Sequence, residues 1–333
     1  MATLRFGIVG LGYISNYHAT GAMEAPNATL VAGFDPDPKK RAAFREKYPE
    51  ATVYDDAAAM AAASDVDAVA VGVPNAVHLS VAETFLRAGK HVLMEKPMAM
   101  NAAEGERMAA TAREMGRTLA IGHMWRFDEE ARYVRGLVAS GRLGTVVKTK
   151  GYGIHAKWGP EGWFKQKALA GGGALIDMGV HAIDAVLYLL GDPKPVSVYA
   201  RLGTWFGDYD VDDTGVIVIA WDTGATSIIE SGWWHPHMDG PEAATQVFGT
   251  GGYARMFPTL YVPMAMGEKP ERPTFPAREE HCVQRIYTAQ VQEFAAAVDE
   301  GREPVNGVEV GLAVMRICDA AYRSSEEGRV IEL

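Results

Sequence analysis

Short apolar runs recur through the first third of the chain, and segments of helical character separate them. Residues 4–9, 29–34, 51–54, 67–73, 91–94 and 118–121 are rich in Val, Ile, Leu and Ala and carry little charge. Brief continuous apolar runs bounded by turn residues predict strands buried on both faces. Between them lie an alanine-rich helix at 55–63, a helix at 78–89 and a third that Asn101 caps and Gly116 ends. Strands alternating with helices predict a parallel, doubly wound α/β sheet, whose ligands bind beyond the carboxyl ends of its strands.

The pattern changes after residue 123. Residues 128–140 predict one more helix, stopped by Gly141 and Gly144, and 146–150 a strand. Residues 151–173 are glycine-rich and hold His155, Trp158, Trp163 and Phe164. Further strands are expected at 196–202, 215–221, 225–234 and 245–248, and Asp222-Thr223-Gly224 joins the middle two as a hairpin. Residues 251–280 are Pro-rich and read as loop; helices at 290–300 and 310–326 close the chain. The expectation is a dinucleotide-binding domain at 1–123 and an α+β domain with an open, mainly antiparallel sheet at 124–333. The C-terminal segment is free to pack back on the first domain.

Residues 171–191 organise the second half. Three glycines lead in, Gly191 closes, and the segment between reads as a single helix. At about 100° per residue, Asp177, His181, Asp184 and Tyr188 fall within roughly 60° of one another. Ile176, Val180, Ile183, Val186, Leu187 and Leu190 occupy the opposite arc. A solvated stripe ordinarily carries Lys, Glu and Arg, and residues 178–190 contain none. Short Asp and His side chains on such a helix suit a walled cleft, and His titrates nearest the working pH of a general base.

The amino-terminal motif has a chemistry of its own. Gly10 and Gly12 match the first two glycines of a dinucleotide fingerprint, which bring a pyrophosphate close to the helix that opens at Tyr13 and Ile14. Ser15 stands where a third small residue is usual. Asp35 ends the second strand, where an acid accepts the ribose hydroxyls of NAD and repels the 2′-phosphate of NADP. Pro36 and Asp37 follow rather than a base, while Lys39, Lys40 and Arg41 keep NADP open as the lesser choice. The other reading of Asp35 is a helix N-cap. Asn75, after Pro74, and Lys96, fixed before Pro97, end further strands on the ligand side.

Gly10-Leu11-Gly12, Val73-Pro74-Asn75 with His78, Glu95-Lys96-Pro97 and the 171–191 segment together resemble the Gfo/Idh/MocA oxidoreductases, named from glucose–fructose oxidoreductase and inositol dehydrogenase. The closing residues 311–333, with Ser324, Gly328 and Val330-Ile331-Glu332-Leu333, are also similar, so the resemblance spans nearly the whole chain. It implies a Rossmann domain with NAD at Gly10, Gly12, Tyr13, Ile14, Asp35, Pro74, Asn75, His78, Glu95 and Lys96. It further implies oxidation of a secondary hydroxyl of a sugar, anhydrosugar or cyclitol, with Lys96, Asp177 and His181 catalytic. Either Lys96 or His181 serves as base. Arg126, His155, Trp158 and Trp163, with Asp177 and His181, are the expected substrate contacts. Two other readings remain: an NAD-dependent glycoside hydrolase that oxidises C3 transiently, and a non-catalytic sugar and nucleotide sensor. Homodimers or homotetramers through the open sheet are implied as well.

Composition narrows the partners. A net charge of −10 gives no reason to expect nucleic acid or an anionic membrane. No apolar run reads as a membrane span and no signal peptide is apparent, so the expected setting is the cytoplasm. Cys282 and Cys318 form no disulfide framework. His235-Pro236-His237 with Asp239 superficially suggests a metal site, but ligands crowded around one proline make a poor one, and no metal is expected.

Overall fold

The structure, a computed structural model, describes residues 3–237, 240–277 and 283–333. Asp239 and Cys282 lie outside the described residues. Contacts divide the chain into two units, Met1–Phe127 with Cys282–Leu312, and Asp128–His281 with Ala313–Leu333.

In the first unit β1 (Leu4–Val9) leads to α1 (Tyr13–Glu24), β2 (Ala28–Phe34), α2 (Pro38–Lys47), β3 (Thr52–Tyr54), α3 (Ala57–Ala62), β4 (Ala68–Val71), α4 (His78–Arg87), β5 (His91–Met94), α5 (Ala102–Glu114) and β6 (Leu119–Ile121). The six strands lie in the order β3-β2-β1-β4-β5-β6, every pair parallel. The order reverses direction between β1 and β4, and that switch point is where doubly wound sheets bind nucleotides. All four residues of β4 are buried, as a central parallel strand requires. Helices cap as their sequences direct: Asp37, Asp56 and Asn101 each accept a backbone N–H in the first turn of α2, α3 and α5.

The second unit holds α6 (Glu129–Ala139), β7 (Val146–Ala156), α7 (Lys167–Ala170), a π-helical turn (Leu175–Gly179), α8 (Val180–Leu190), β8 (Pro195–Gly203), β9 (Thr214–Trp221), β10 (Thr226–His235), β11 (Ala243–Gly249), β12 (Gly252–Met256) and β13 (Leu260–Pro263). α9 (Gln284–Glu300) belongs to the first unit, the division falls within α10 (Val308–Glu327), and β14 (Ile331–Glu332) ends the chain. The eight-stranded sheet runs β13-β12-β11-β7-β10-β9-β8-β14, antiparallel except for the β7–β10 pair. Alternation is clean: Val198, Ala200, Ile217, Ile219, Ile229 and Val247 are buried, while Tyr199 and Val216 on the other face are exposed. α8 packs across β7, β10 and β11 on the buried face.

Two expectations are corrected. Residues 251–280 are not all loop, because Gly249-Thr250-Gly251-Gly252 turns β11 back into β12, and β13 follows. β7 continues to Ala156 instead of ending at Lys150; its glycines are ladder residues, and a Cβ at Gly153 would collide with the Met178 carbonyl of the overlying helix. Between the lead-in glycines and Gly191 the chain winds as one helix, as expected, with a π turn at Leu175–Gly179 running straight into α8; Gly171, at φ 83°, ends the short α7 before it. Residues 167–190 do carry the length and apolarity of a membrane span, yet 89% of their most apolar window is buried inside the protein, which makes this a core helix.

α9 closes the first core. Phe294 is fully buried and meets Phe6 of β1 at 5.7 Å between ring centroids, beside Ala19, Ala22 and Val291. Phe294→Ala should therefore lower stability by about 3–5 kcal/mol, read as a fall in the urea midpoint. A change below about 1 kcal/mol would mean that α9 contributes little to this core.

Candidate functional site

The carboxyl ends of β1, β4 and β5 are fastened to one another. Gly10 takes φ 83°, and a Cβ there would strike the Gly72 carbonyl, so only glycine lets the loop after β1 approach the loop after β4. Ser15, buried, donates to the Gly10 carbonyl, and so a hydroxyl fits the third small position. α1 starts at Gly12 with no capping side chain and no acid in its first turn, and a Cβ at Gly12 meets open space. That N-terminus, with Tyr13 exposed and Ile14 beside it, fits a nucleotide pyrophosphate.

Asp35 is buried and already employed. Its Oδ2 accepts Leu11 N–H at 2.8 Å and its Oδ1 accepts Asp37 N–H at 2.8 Å, so it holds the glycine turn. It is not a helix cap; Asp37 caps α2, accepting Lys39 N–H at 2.8 Å. Asp35 Oδ1 keeps a second acceptor direction for a ribose hydroxyl. Lys40 Nζ stands 3.4 Å from Oδ2, and Arg41 donates to the Asp35 and Pro36 carbonyls.

His78 joins the next two loops. Its fully buried ring lies 3.0 Å from the Val73 carbonyl and 2.9 Å from the Pro97 carbonyl, and burial pushes its pKa down. Asn75, beside Pro74, is buried as well. Glu95 ends β5, with Oε2 accepting the Lys96 N–H at 3.0 Å and Oε1 2.7 Å from His18 Nε2. Burial alone would raise the Glu95 pKa, but the His18 hydrogen bond and the nearby charges of His18 and Lys96 outweigh it and hold the carboxyl below its usual range. Lys96 is half-buried at the head of a cis peptide bond to Pro97. Arg126 is buried in this unit and donates to the Val305 carbonyl at 3.2 Å.

The second unit gathers Asp and His side chains on the π turn and on α8. Asp212 is the anchor: Oδ1 accepts Gly173 N–H at 2.8 Å and Tyr322 O–H at 2.7 Å, and Oδ2 accepts Leu175 N–H at 2.8 Å. A Cβ at Gly172 would strike the Tyr322 hydroxyl and one at Gly173 the Asp212 backbone, which explains the glycine run. Asp177 then accepts the Trp233 indole N–H at 3.0 Å and lies 3.7 Å from His155 Nε2. His181, Asp184 and Tyr188 are all buried, so the stripe on α8 is not a solvated face. His155 is stacked beneath Trp158 at 3.6 Å and reaches Glu242 at 3.2 Å. Trp158 is 44% exposed and donates to the same Glu242 oxygen, while Trp163 stacks on Phe164 at 3.9 Å. His235 accepts or donates at Thr214, 3.1 Å away. Among the described residues no three His, Cys, Asp or Glu side chains are grouped to hold a metal ion.

Residues 4–123 match the description "oxidoreductase family, NAD-binding Rossmann fold", and residues 131–255 match the Gfo/Idh/MocA C-terminal domain. D-glucoside 3-dehydrogenase of Escherichia coli (strain K12) is 31% identical over 347 residues, covering 99% of this chain and 97% of that protein. The chain belongs to the Gfo/Idh/MocA family of oxidoreductases. Inositol 2-dehydrogenase of Rhizobium meliloti (strain 1021) is 30% identical, with 99% of each chain covered. The solved aldose-aldose oxidoreductase of Caulobacter crescentus, complexed with glycerol, superposes with a TM-score of 0.87 at 30% identity, covering 99% of this chain and all of that one.

Three residues of this Gfo/Idh/MocA chain escaped the sequence pattern. His18 follows Ser15 by one helical turn on the inward face of α1, a spacing that could have flagged it. Asp212 precedes β9 beside a second acid, with no neighbouring base. Glu242 gives no signal in sequence, since only the β7–β11 register brings it beside His155.

Because the Glu95 pKa lies below its ordinary 4.5, its contribution to stability is fully present above that value and is lost as pH falls through the folded-state pKa. Thermal melts of the wild type from about pH 7 down to about pH 3.5 should lose stability through this window, and Glu95→Gln should be less stable at neutral pH with a flatter curve. Parallel curves would remove Glu95 from the acid response.

Proposed function

We propose that this oxidoreductase oxidises a secondary hydroxyl of a neutral sugar, anhydrosugar or cyclitol, with NAD preferred over NADP. The reading rests above all on the buried stripe of α8 and the π turn, where Asp177 meets the Trp233 indole and His155, and His181 is buried one turn further on. The names of the relatives, a glucoside and an inositol dehydrogenase, agree with it. NAD would be held by Gly10, Gly12, Tyr13, Ile14, Asp35, Asn75 and the loops that His78 and Glu95 fasten, and it supplies the hydride acceptor. The hydroxyl proton passes to His181 or Lys96, and Asp177 accepts a hydrogen bond from a substrate hydroxyl. Preference for NAD follows from the buried Asp35, which repels a 2′-phosphate even with Lys40 and Arg41 near. Trp158 and Trp163 offer apolar faces to a sugar ring. Self-association as a dimer or tetramer is assigned to the outer face of the eight-stranded sheet, where Tyr199 and Val216 are exposed, and the setting to the cytoplasm.

The deciding experiment assays hexoses, inositols, anhydrosugars, glycosides and the matching uronic acids with NAD and with NADP. Neutral substrates should lead and NADH should accumulate one for one with oxidised product; recycling of the cofactor during glycoside cleavage would favour hydrolysis instead. A preference for the acids above about tenfold, roughly 1.4 kcal/mol, would overturn the neutral-substrate reading.

His181→Ala and Lys96→Ala should each lower turnover by about 10² or more. NADH affinity, measured by fluorescence titration, should stay within a few-fold for His181→Ala. Near-normal turnover in either variant would take that residue out of the chemistry.

A further inference from the structure

His155, Asp177 and Glu242 form a line of alternating charge. Asp177 Oδ2 lies 3.7 Å from His155 Nε2, and Glu242 Oε1 lies 3.2 Å from His155 Nδ1. Both ring nitrogens therefore face carboxylate oxygens. A neutral imidazole has one N–H and one lone pair and would turn that lone pair onto an anion; the imidazolium donates at both ends. Burial opposes the charge, since the ring is 4% exposed, but the two carboxylates outweigh it and the pKa lies above the ordinary 6.5. Asp177 acts from the π turn and Glu242 from the segment before β11. Two tryptophans complete the line: Trp233 of β10 donates to Asp177, and Trp158, after β7, covers the ring and donates to Glu242 at 2.6 Å.

The backbone builds this line. The Glu242 carbonyl accepts Ile154 N–H at 2.8 Å, which seats Glu242 beside His155. Gly153 lets Met178 of the π turn lie directly against β7, and His155, two residues on, emerges on the same face toward Asp177.

We propose that Glu242 is a positioning residue that acts through His155 to hold Asp177 as an ionised acceptor for a substrate hydroxyl. Asp177 then takes up no proton during the reaction, and the base is His181 or Lys96. The three groups sum to one negative charge, which also disfavours an anionic substrate. Only the role toward substrate rests on the proposed polyol oxidation; the charge state of His155 does not.

The test compares the full-length wild type, Glu242→Gln and Glu242→Asp, each labelled with ¹⁵N-histidine, with the His155→Gln spectrum to assign the ring. In the wild type, His155 should keep the imidazolium pattern above its ordinary titration, and Glu242→Gln should lower that titration while Glu242→Asp preserves it. On a substrate found in the panel, Glu242→Gln should raise KM several-fold more than it lowers kcat and should move the basic limb of kcat/KM to lower pH. A uniform loss at every pH without rescue by Glu242→Asp would reveal a structural role and overturn the proposal. So would wild-type His155 titrating at its ordinary pH, a result that stands even if Glu242→Gln fails to fold. If no sugar is oxidised, the proposed function fails while the histidine titration still decides the charge line.

Discussion

A buried carboxylate has to be met by donors, and Asp212 meets this demand with the amide groups that begin the π turn and with the Tyr322 hydroxyl. Each donor left unpaired in a buried site costs about 1–3 kcal/mol, so the lead-in to α8 has little freedom to sit elsewhere. The glycines at 172 and 173 permit the close approach, and the π turn that carries Asp177 follows at once and runs into α8 with His181. π-helical turns are rare and concentrate at functional sites, and this helix is pinned at its start by Asp212 and stopped at its end by Gly191, at φ 89°.

Much of this was written in the sequence. The alternation of buried strands and helices in residues 4–121 has one physical solution, a parallel sheet covered on both faces, and Asn101 announced its helix by capping chemistry. The polar stripe on α8 was legible because the absence of Lys, Glu and Arg is a local fact. What could not be read locally was pairing. β12 and β13 hide in a Pro- and Gly-rich stretch, and the glycines of β7 mimic a loop because their reason, the helix lying on them, is elsewhere in the chain. The same holds for the site: His155 could be suspected from its neighbourhood, but Glu242 and Asp212 matter only through register and close packing. In the helix that runs to Gly191, the feature the sequence did not show was the π turn at Leu175–Gly179.

The nucleotide end is ordered by a different economy of contacts. Asp35 grips the glycine turn, His78 bridges two loops, and Glu95 holds Lys96 from behind. The side chains expected to touch the cofactor are thus also those that fix the loops, which ties recognition to the integrity of the strand ends.

β7 and β10 are parallel neighbours in a sheet otherwise built of antiparallel pairs. Antiparallel neighbours would send their carboxyl ends to opposite sides; these two deliver theirs to the same edge, where Trp158 follows one and Trp233 and Trp234 lie at the end of the other. The Trp234 N–H donates to the Trp158 carbonyl at 2.8 Å, and Lys157 and Trp234 take positive φ there. The two strand exits are therefore tied to each other through backbone, so a change in the path of one has to be matched by the other while the ladder beneath them stays as it is.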